Sequence, residues 1–437
     1  MSDIVMVPAV AAPAPPPSPG WRGYLTGHKV LAAALGIFVI LSLVRWTQDA
    51  DDLTSSLTVE ITLLVTMPIM LAGLAGLWAE RAGVVNIGIE GMMIIGTWFG
   101  GWGAYMWGPW VGLLLAILGG AVGGVLHAVA TVTFNVNHVI SGVAINLLAF
   151  GAMRYLSELL WTGRDAPQGS GITQSPPQKS ALPRFDCPFL AGGTIGDWKT
   201  PDILGNIEER GWLLISDIAG VLRGFVHNVS AATIIALLLV PAFTWVFWRT
   251  RFGLRVRSSG EEPAAAESLG VRVLPLRYFA LAISGACAGF GGGFLSIVLS
   301  SYYRQGQTAN RGFIGLATTI AGNWRPTGIL AAGFLFGYPE ALNRVGRDAL
   351  PDTLLVGAIC AAIWLIYALM RQKWVQSGFA LGVTLFMFWL WSIVVEIPES
   401  LTSSPPYLIT LIVLATAGSN LRPPMHAGLP YRSGQSH

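Results

Sequence analysis

Asn86, Glu90 and Asn146 are the side chains whose type and position could do chemistry in an otherwise apolar setting. Glu90 follows Asn86 by four positions in GVVNIGIEG (83–91), so on a helix the two share a face. A carboxylate inside an apolar run is costly, and it faces a cavity, an ion pathway or a hydrogen-bonding partner. Two readings are open: a polar wall along which a small solute passes, or a hydrogen bond tying two helices. Asn146 closes the segment NHVISGVAIN (137–146), where it points to path lining and His138 to an interfacial polar residue. Arg154 and Glu158, four apart, read as a local pair.

Other chemistries find no support. The three cysteines, Cys187, Cys287 and Cys360, share no C-x-x-C spacing, and the six histidines have no ligand spacing, so neither a metal site nor a disulfide framework is expected. The chain has no G-x-x-x-x-G-K-[ST] loop, no Ser/His/Asp set and no H-E-x-x-H. No catalytic residue and no cofactor is therefore expected. The glycines of SGACAGFGGGF (284–294) follow no strand, so they are not a dinucleotide fingerprint. They read as close packing of membrane helices, as do the overlapping G-x-x-x-G pairs of Gly119, Gly120, Gly123 and Gly124.

The elements that must position these residues follow from composition. Of 437 residues, 53% are hydrophobic and only 11% charged, against about 25% charged in soluble domains. A soluble enzyme, a disordered chain and a secreted disulfide scaffold are excluded. A membrane β-barrel is excluded too, because its strands would alternate polar and apolar. What remains is an all-α, polytopic transmembrane helical bundle of about ten membrane-spanning helices, on the rule of ~20 apolar residues per crossing.

Spans are expected near 30–44, 59–79, 83–106, 109–134, 139–161, 229–248, 276–299, 353–370, 375–395 and 406–417. Gly83–Gly91 marks a broken or locally unwound helix, and 312–321 with 328–338 forms two tilted crossings or one re-entrant pair. Residues 1–28 read as a disordered Pro/Ala-rich cytoplasmic tail, 29–421 as the transmembrane domain and 422–437 as a cytoplasmic tail. The stretch 162–228 is an extracytoplasmic loop with an amphipathic piece at Ile215–Phe225.

The densest basic segment is 249–277, with Arg249, Arg251, Arg255, Arg257, Arg272 and Arg277. Positive charge in short loops stays cytoplasmic, which places both termini inside. The net charge of +3 suits such loops and not a nucleic-acid surface. Within the loop, Glu261–Leu269 reads as a short helix with Pro263 in its first turn and Gly270 closing it. So short a helix is marginal alone, and its flat Ala264–Ala266 face suits docking of a cytoplasmic partner.

Five segments in order carry a resemblance: GLWAERAGVVNIGIEGMMIIG (76–96), NHVISGVAINLLAFG (137–151), RTRFGLRVRSSGEEPAAAESLGV (249–271), RYFALAISGACAGFGGGFLS (277–296) and RGFIGLATTIAGNWRPTGILAAGFLFG (311–337). They resemble the inner-membrane permeases of bacterial ABC importers for nucleosides and simple sugars, related to the branched-chain amino acid and ribose permeases. The resemblance implies a permease subunit of the bacterial plasma membrane, embedded in lipid and without catalysis of its own. It implies separate ATP-binding cassette ATPase subunits, a second homologous permease and an extracytoplasmic substrate-binding protein. It implies that Gly260, Glu261, Glu262, Pro263, Ala265, Glu267 and Gly270 couple to the ATPase. The alternative is a stand-alone ion-coupled secondary transporter using Glu90 as its proton or sodium site.

Overall fold

The computed structural model describes residues 22–163, 166–195, 198–346, 349–393 and 421–432. The expected span at 406–417 and most of the expected N-terminal tail lie outside the described residues. The chain runs α1 (Arg22–Gln48), α2 (Ser56–Arg81), α3 (Ile89–Trp107), α4 (Pro109–Ala128) and α5 (His138–Trp161). An outer segment follows, with β1 (Arg184–Phe185), β2 (Gly193–Ile195), β3 (Trp198–Thr200), α6 (Ile203–Glu208), α7 (Ile215–Val226) and β4 (Val229–Ser230). Then come α8 (Ala231–Arg249), α9 (Arg251–Glu261), α10 (Pro263–Ser268), α11 (Val273–Phe294), α12 (Arg311–Ala321), α13 (Pro326–Val345), α14 (Leu350–Met370) and α15 (Trp374–Ile393). Among the described residues, seven helical stretches are long and apolar enough to cross a membrane. A polytopic helical bundle is what the composition requires. Helix α1 starts at Arg22, inside the stretch expected to be disordered.

Helix α2 is the axis of the bundle. Its apolar run is capped at Ser55, whose Oγ accepts from the Thr58 amide at 3.2 Å. Nearly every residue from Thr62 to Glu80 is buried, against α11, α12 and α13. Helix α11 in turn lies on α3 and α4. In lipid no hydrophobic force draws apolar helices together, so close backbone approach must do so. At the α4–α11 crossing, a Cβ on Gly289 would strike the Ala116 carbonyl, and one on Gly120 would strike Gly285 and Gly289. Of the glycines read as packing motifs, Gly120, Gly124, Gly285, Gly289 and Gly293 are at this contact, while Gly119, Gly123 and Gly292 pack on α3 and Gly291 on α2. Helices α4, α5 and α8 turn Leu118, Val122, Leu147, Leu148 and Leu238 outward, as a lipid-facing layer would. Helices α14 and α15 pack on each other, with α14 also against α1. Val44, Leu53, Leu342, Ala349 and Val356 form the small core there.

The two ends of the bundle differ. The loop end carries 49–56, the outer segment and 300–305, which is tied to that segment by Ser175 N to the Tyr303 carbonyl and Gln305 N to the Thr173 carbonyl. Helix α7, expected as an amphipathic piece, buries Asp217 against α1. Arg45 Nη1 donates to Asp217 Oδ1 at 2.8 Å, and Ser42 and Thr54 donate to the same carboxylate. Burial alone would raise this carboxyl, but those three donors and the Arg45 charge hold it below the usual range. The basic end carries 82–85, α9, α10, the turn 322–325 and residues 421–432. Helix α12 descends to that turn and α13 runs back from it to the loop end, where Gly346 lies against Asp52; neither helix is among the seven stretches long and apolar enough to cross alone.

Candidate functional site

The chain breaks between α2 and α3. Residues 82–88 are not helical, as expected for Gly83–Gly91. Their backbone groups need partners inside the bundle, since lipid offers none. Side chains of neighbouring helices provide them. His127 of α4 meets the Val85 carbonyl at 3.2 Å, and His138 of α5 accepts from the Val85 amide at 3.3 Å. Asn146 donates to the Ile87 carbonyl at 3.1 Å and accepts from the Gly91 amide at 2.7 Å. Asn86 Nδ2 donates to Ser284 Oγ of α11 at 3.0 Å. Asn86 Oδ1 is buried and makes no hydrogen bond. His138 is 3% exposed and belongs to this network through an interhelical hydrogen bond at the basic end.

Glu90 opens α3 and serves another helix. Helix α12 has 11 residues, about 16 Å at 1.5 Å per residue, roughly half the ~30 Å hydrocarbon layer. Its far end is at the basic end, so its N-terminus falls partway through the membrane, where free amides are costly. Glu90 accepts from two of them, Asn310 N at 3.1 Å and Gly312 N at 2.7 Å. Its negative charge also suits the positive end of that helix. The neighbouring Arg311 pairs with Glu340 of α13. Asn86, Glu90 and Asn146 thus gather at the helix break, each bonded to a neighbouring segment: Asn86 to α11, Glu90 to the start of α12, and Asn146 to Ile87 and Gly91. Arg154 and Glu158 form no ion pair.

The basic end forms a second constellation. Helix α9 continues through Glu261, further than the isolated helix expected at Glu261–Leu269. Pro263 ends α9 at Glu262, because its ring disfavours helix in the preceding residue. It also opens α10 as the first helical residue. Gly270 closes the unit with φ +82°, a conformation glycine adopts without strain. Pro263 and Ala266 face inward, while Glu262, Ala265, Ser268, Leu269 and Gly270 are exposed. Leu269 is 84% exposed. Gly260 sits against the Arg81 carbonyl.

Glu261 and Glu267 reach inward to the protein. Glu261 pairs with Arg81 at 3.6 Å, and Glu267 accepts from the Tyr431 hydroxyl. The presumed seven-residue coupling set therefore divides. Glu262, Ala265 and Gly270 present a surface, whereas Gly260, Glu261, Pro263 and Glu267 hold the helix in place.

Trp324 and Tyr431 were not singled out by sequence, and Arg81 was read only as closing the second span at the inner interface. Arg81 donates from Nη2 and Nε to the Trp324 carbonyl at 2.9 and 3.3 Å. The Trp324 indole donates to Glu80, which is 8% exposed. Asn323 and Trp324 both hold φ +52°, strained for residues with a side chain. The signal in the sequence was GNWRP itself, a turn with a charged neighbour. Residues 421–432, most of them in the expected cytoplasmic tail 422–437, are docked here: His426 N donates to the Gly260 carbonyl at 2.9 Å, and Gly428 N to the Gly83 carbonyl at 3.2 Å.

Residues 58–352 match the family described as branched-chain amino acid transport system / permease component. The chain is 34% identical over 298 residues to the guanosine ABC transporter permease protein NupQ of Bacillus subtilis, covering 67% of this chain and 83% of NupQ. It is 33% identical over 300 residues to the nucleoside ABC transporter permease protein NupC of Lactococcus lactis, covering 67% and 84%. The putative glucose ABC transporter permease protein TsgC13 of Haloferax volcanii is 31% identical over 277 residues, covering 63% and 73%. No solved structure matches the chain significantly. A bundle of apolar helices interrupted at 82–88, matched over two thirds of its length, makes this chain a multi-pass membrane protein of the branched-chain amino acid transport system permease-component family.

Proposed function

We propose that this chain is the permease subunit of an ABC importer in the bacterial inner membrane, carrying a nucleoside, with both termini cytoplasmic. The observation that carries the reading is α10. It is a six-residue helix, too short to stand alone, held from behind by Arg81 and Tyr431 and offering Glu262, Ala265, Ser268 and Leu269 to the cytoplasm. Such a surface suits the groove of a separate ATPase. The Arg-rich setting of α9 supports the cytoplasmic assignment. The names of NupQ and NupC support a nucleoside as the solute. A second, homologous permease would complete the path, and an extracytoplasmic binding protein would dock on the outer segment 162–228.

In this mechanism ATP-driven closure of the ATPase pair displaces α10. The displacement reaches α2 through Glu261 and Arg81, and reaches the α12–α13 turn through Arg81 and Trp324. The broken stretch 82–88, with Asn86, Glu90 and Asn146 around it, is the part of the path wall able to rearrange. As a stand-alone carrier the chain would need Glu90 free to bind a proton or sodium ion. Both carboxylate oxygens instead accept backbone amides of the α12 N-terminus, which weighs against that reading.

The test is uptake of radiolabelled guanosine and uridine into vesicles holding the chain with its ATPase, partner permease and binding protein. ATP-dependent uptake, competed by nucleosides and not by glucose, is expected. Uptake driven by a proton gradient without ATP would refute the assignment.

A further inference from the structure

The C-terminal segment lies beyond the 58–352 family match, yet it touches each moving part named above. Arg422 N donates to Asn323 Oδ1 of the α12–α13 turn at 2.9 Å. Met425 N donates to the Glu261 carboxylate at 3.3 Å. His426 meets two successive carbonyls at the end of α9, through its amide at Gly260 and through Nδ1 at Glu261, 2.7 Å away. Gly428 N reaches the Gly83 carbonyl at the start of the break. Tyr431, 9% exposed, packs with Ala266 of α10 and Val273 of α11. Its hydroxyl donates to Glu267. Its ring lies 5.4 Å from the Arg277 guanidinium.

Arg277 gives that ring a purpose. It is 2% exposed, and its Nε and Nη2 make no hydrogen bond. Removing a guanidinium from water without a partner is expensive, and an aromatic face is one of the few neighbours that offsets it. The segment leaves Ala265, Ser268 and Leu269 uncovered and reaches the docking face only at its edge, where His426 Nε2 lies 3.9 Å from the still-exposed Glu262 carboxylate. Three of its bonds go to backbone carbonyls, Gly260, Glu261 and Gly83, and three to the side chains of Asn323, Glu261 and Glu267, so it is fastened at both main chain and side chain to four separate stretches.

We propose that residues 421–432 form a permanent cross-tie that makes α10, the 82–88 break and the 322–325 turn move as one piece, with Tyr431 as the anchoring residue. The proposal rests on the reading that α10 receives an ATPase. Tyr431 is a positioning residue: it touches neither solute nor ATPase, and it fixes the helix that does.

The test uses the full complex with its ATPase and partner permease. Co-purification of the ATPase with the wild-type chain is measured first; its absence would refute the ATPase reading itself, and the cross-tie with it. Truncation after residue 420 and Tyr431→Ala are then compared with Tyr431→Phe. The first two keep the Arg81–Glu261 pair that holds the α9–α10 junction, so the ATPase is expected to stay bound and basal ATP hydrolysis to stay within twofold, while uptake per ATP falls at least tenfold. Tyr431→Phe keeps the ring and should lose less than threefold. A merely structural role would lower hydrolysis and uptake together, with their ratio unchanged, and would overturn the proposal. So would unchanged uptake in Tyr431→Ala, which decides the matter even if the truncated chain fails to insert.

A paired variant separates tie from lid. An added Cβ on Gly428 would stand 4.0 Å from that of Val85, within the ~3.5–4.5 Å a disulfide needs; Gly428 holds φ +84°, which strains a side chain, so Gly428→Cys alone is the reference for uptake. In a chain with Cys187, Cys287 and Cys360 replaced by Ser, Val85→Cys with Gly428→Cys should cross-link on oxidation and keep uptake within twofold. Uptake lost on oxidation and restored by reductant would show that the segment must let go, and would refute the cross-tie.

Discussion

Replacing Glu90 distinguishes a structural carboxylate from an ion-binding one. Its two oxygens satisfy two amides, Asn310 N and Gly312 N, at the buried end of α12. A buried donor left without a partner costs about 1–3 kcal/mol, so Glu90→Ala should destabilise the bundle by about 4 kcal/mol in total. Glu90→Gln keeps one carbonyl oxygen and turns an NH2 toward the other amide. It should lose about half as much, ~2 kcal/mol. Glu90→Asp, shorter by one methylene, cannot reach both amides and should fall between the two. The assay is denaturation of the purified protein in detergent, with ATP-dependent uptake measured alongside. Stability and uptake should decline in the same order, Gln least and Ala most. The reasoning fails if Glu90→Gln is as stable as the wild type yet loses all uptake, for then the carboxylate would be handling an ion.

Three further outcomes follow from the geometry. Gly289→Leu should cost about 3 kcal/mol or more, because the side chain would meet the Ala116 carbonyl; Gly151→Ala, with nothing within 4 Å of its Cβ, should be neutral or slightly stabilising, and thermal unfolding in detergent compares them. Asp217 has its carboxyl held low, so its ion pair stabilises the α1–α7 contact above the usual carboxylate range and loses that contribution as pH falls through the lowered value; Asp217→Asn should be less stable at neutral pH with a flatter acid limb in a pH–stability profile. Leu269→Asp puts a charge on the exposed tip of the docking unit and should cut ATPase co-purification at least tenfold with insertion unchanged, as a pull-down with a membrane-fraction control would read.

The long helices were legible because each is a continuous apolar run, and in these spans little else competes with helix. The break at 83–91 was legible for a local reason as well, since Gly83, Asn86, Gly88, Glu90 and Gly91 interrupt an apolar run within one short stretch. The role of Glu90 was not, because its partners are 220 and 222 positions away and nothing near residue 90 announces them. The same holds for Arg81 with Trp324 and for Tyr431 with Glu267. Each is a pairing made by the fold between segments that look independent. Pro263 and Gly270 were read correctly as punctuation, but the basic stretch before them was not read as helix. Its arginines mask a pattern in which Gly253, Val256, Ser259 and Gly260 face inward.

At the α4–α11 crossing the two main chains touch through Gly120, Gly285 and Gly289, with no side chains between them to slide or repack. A joint of that kind has no second resting position a fraction of an ångström away. These two rods must therefore travel through the transport cycle as a single plank. Any opening and closing is left to the seams on either side of it, and drugs or mutations that jam the cycle should be sought at those seams.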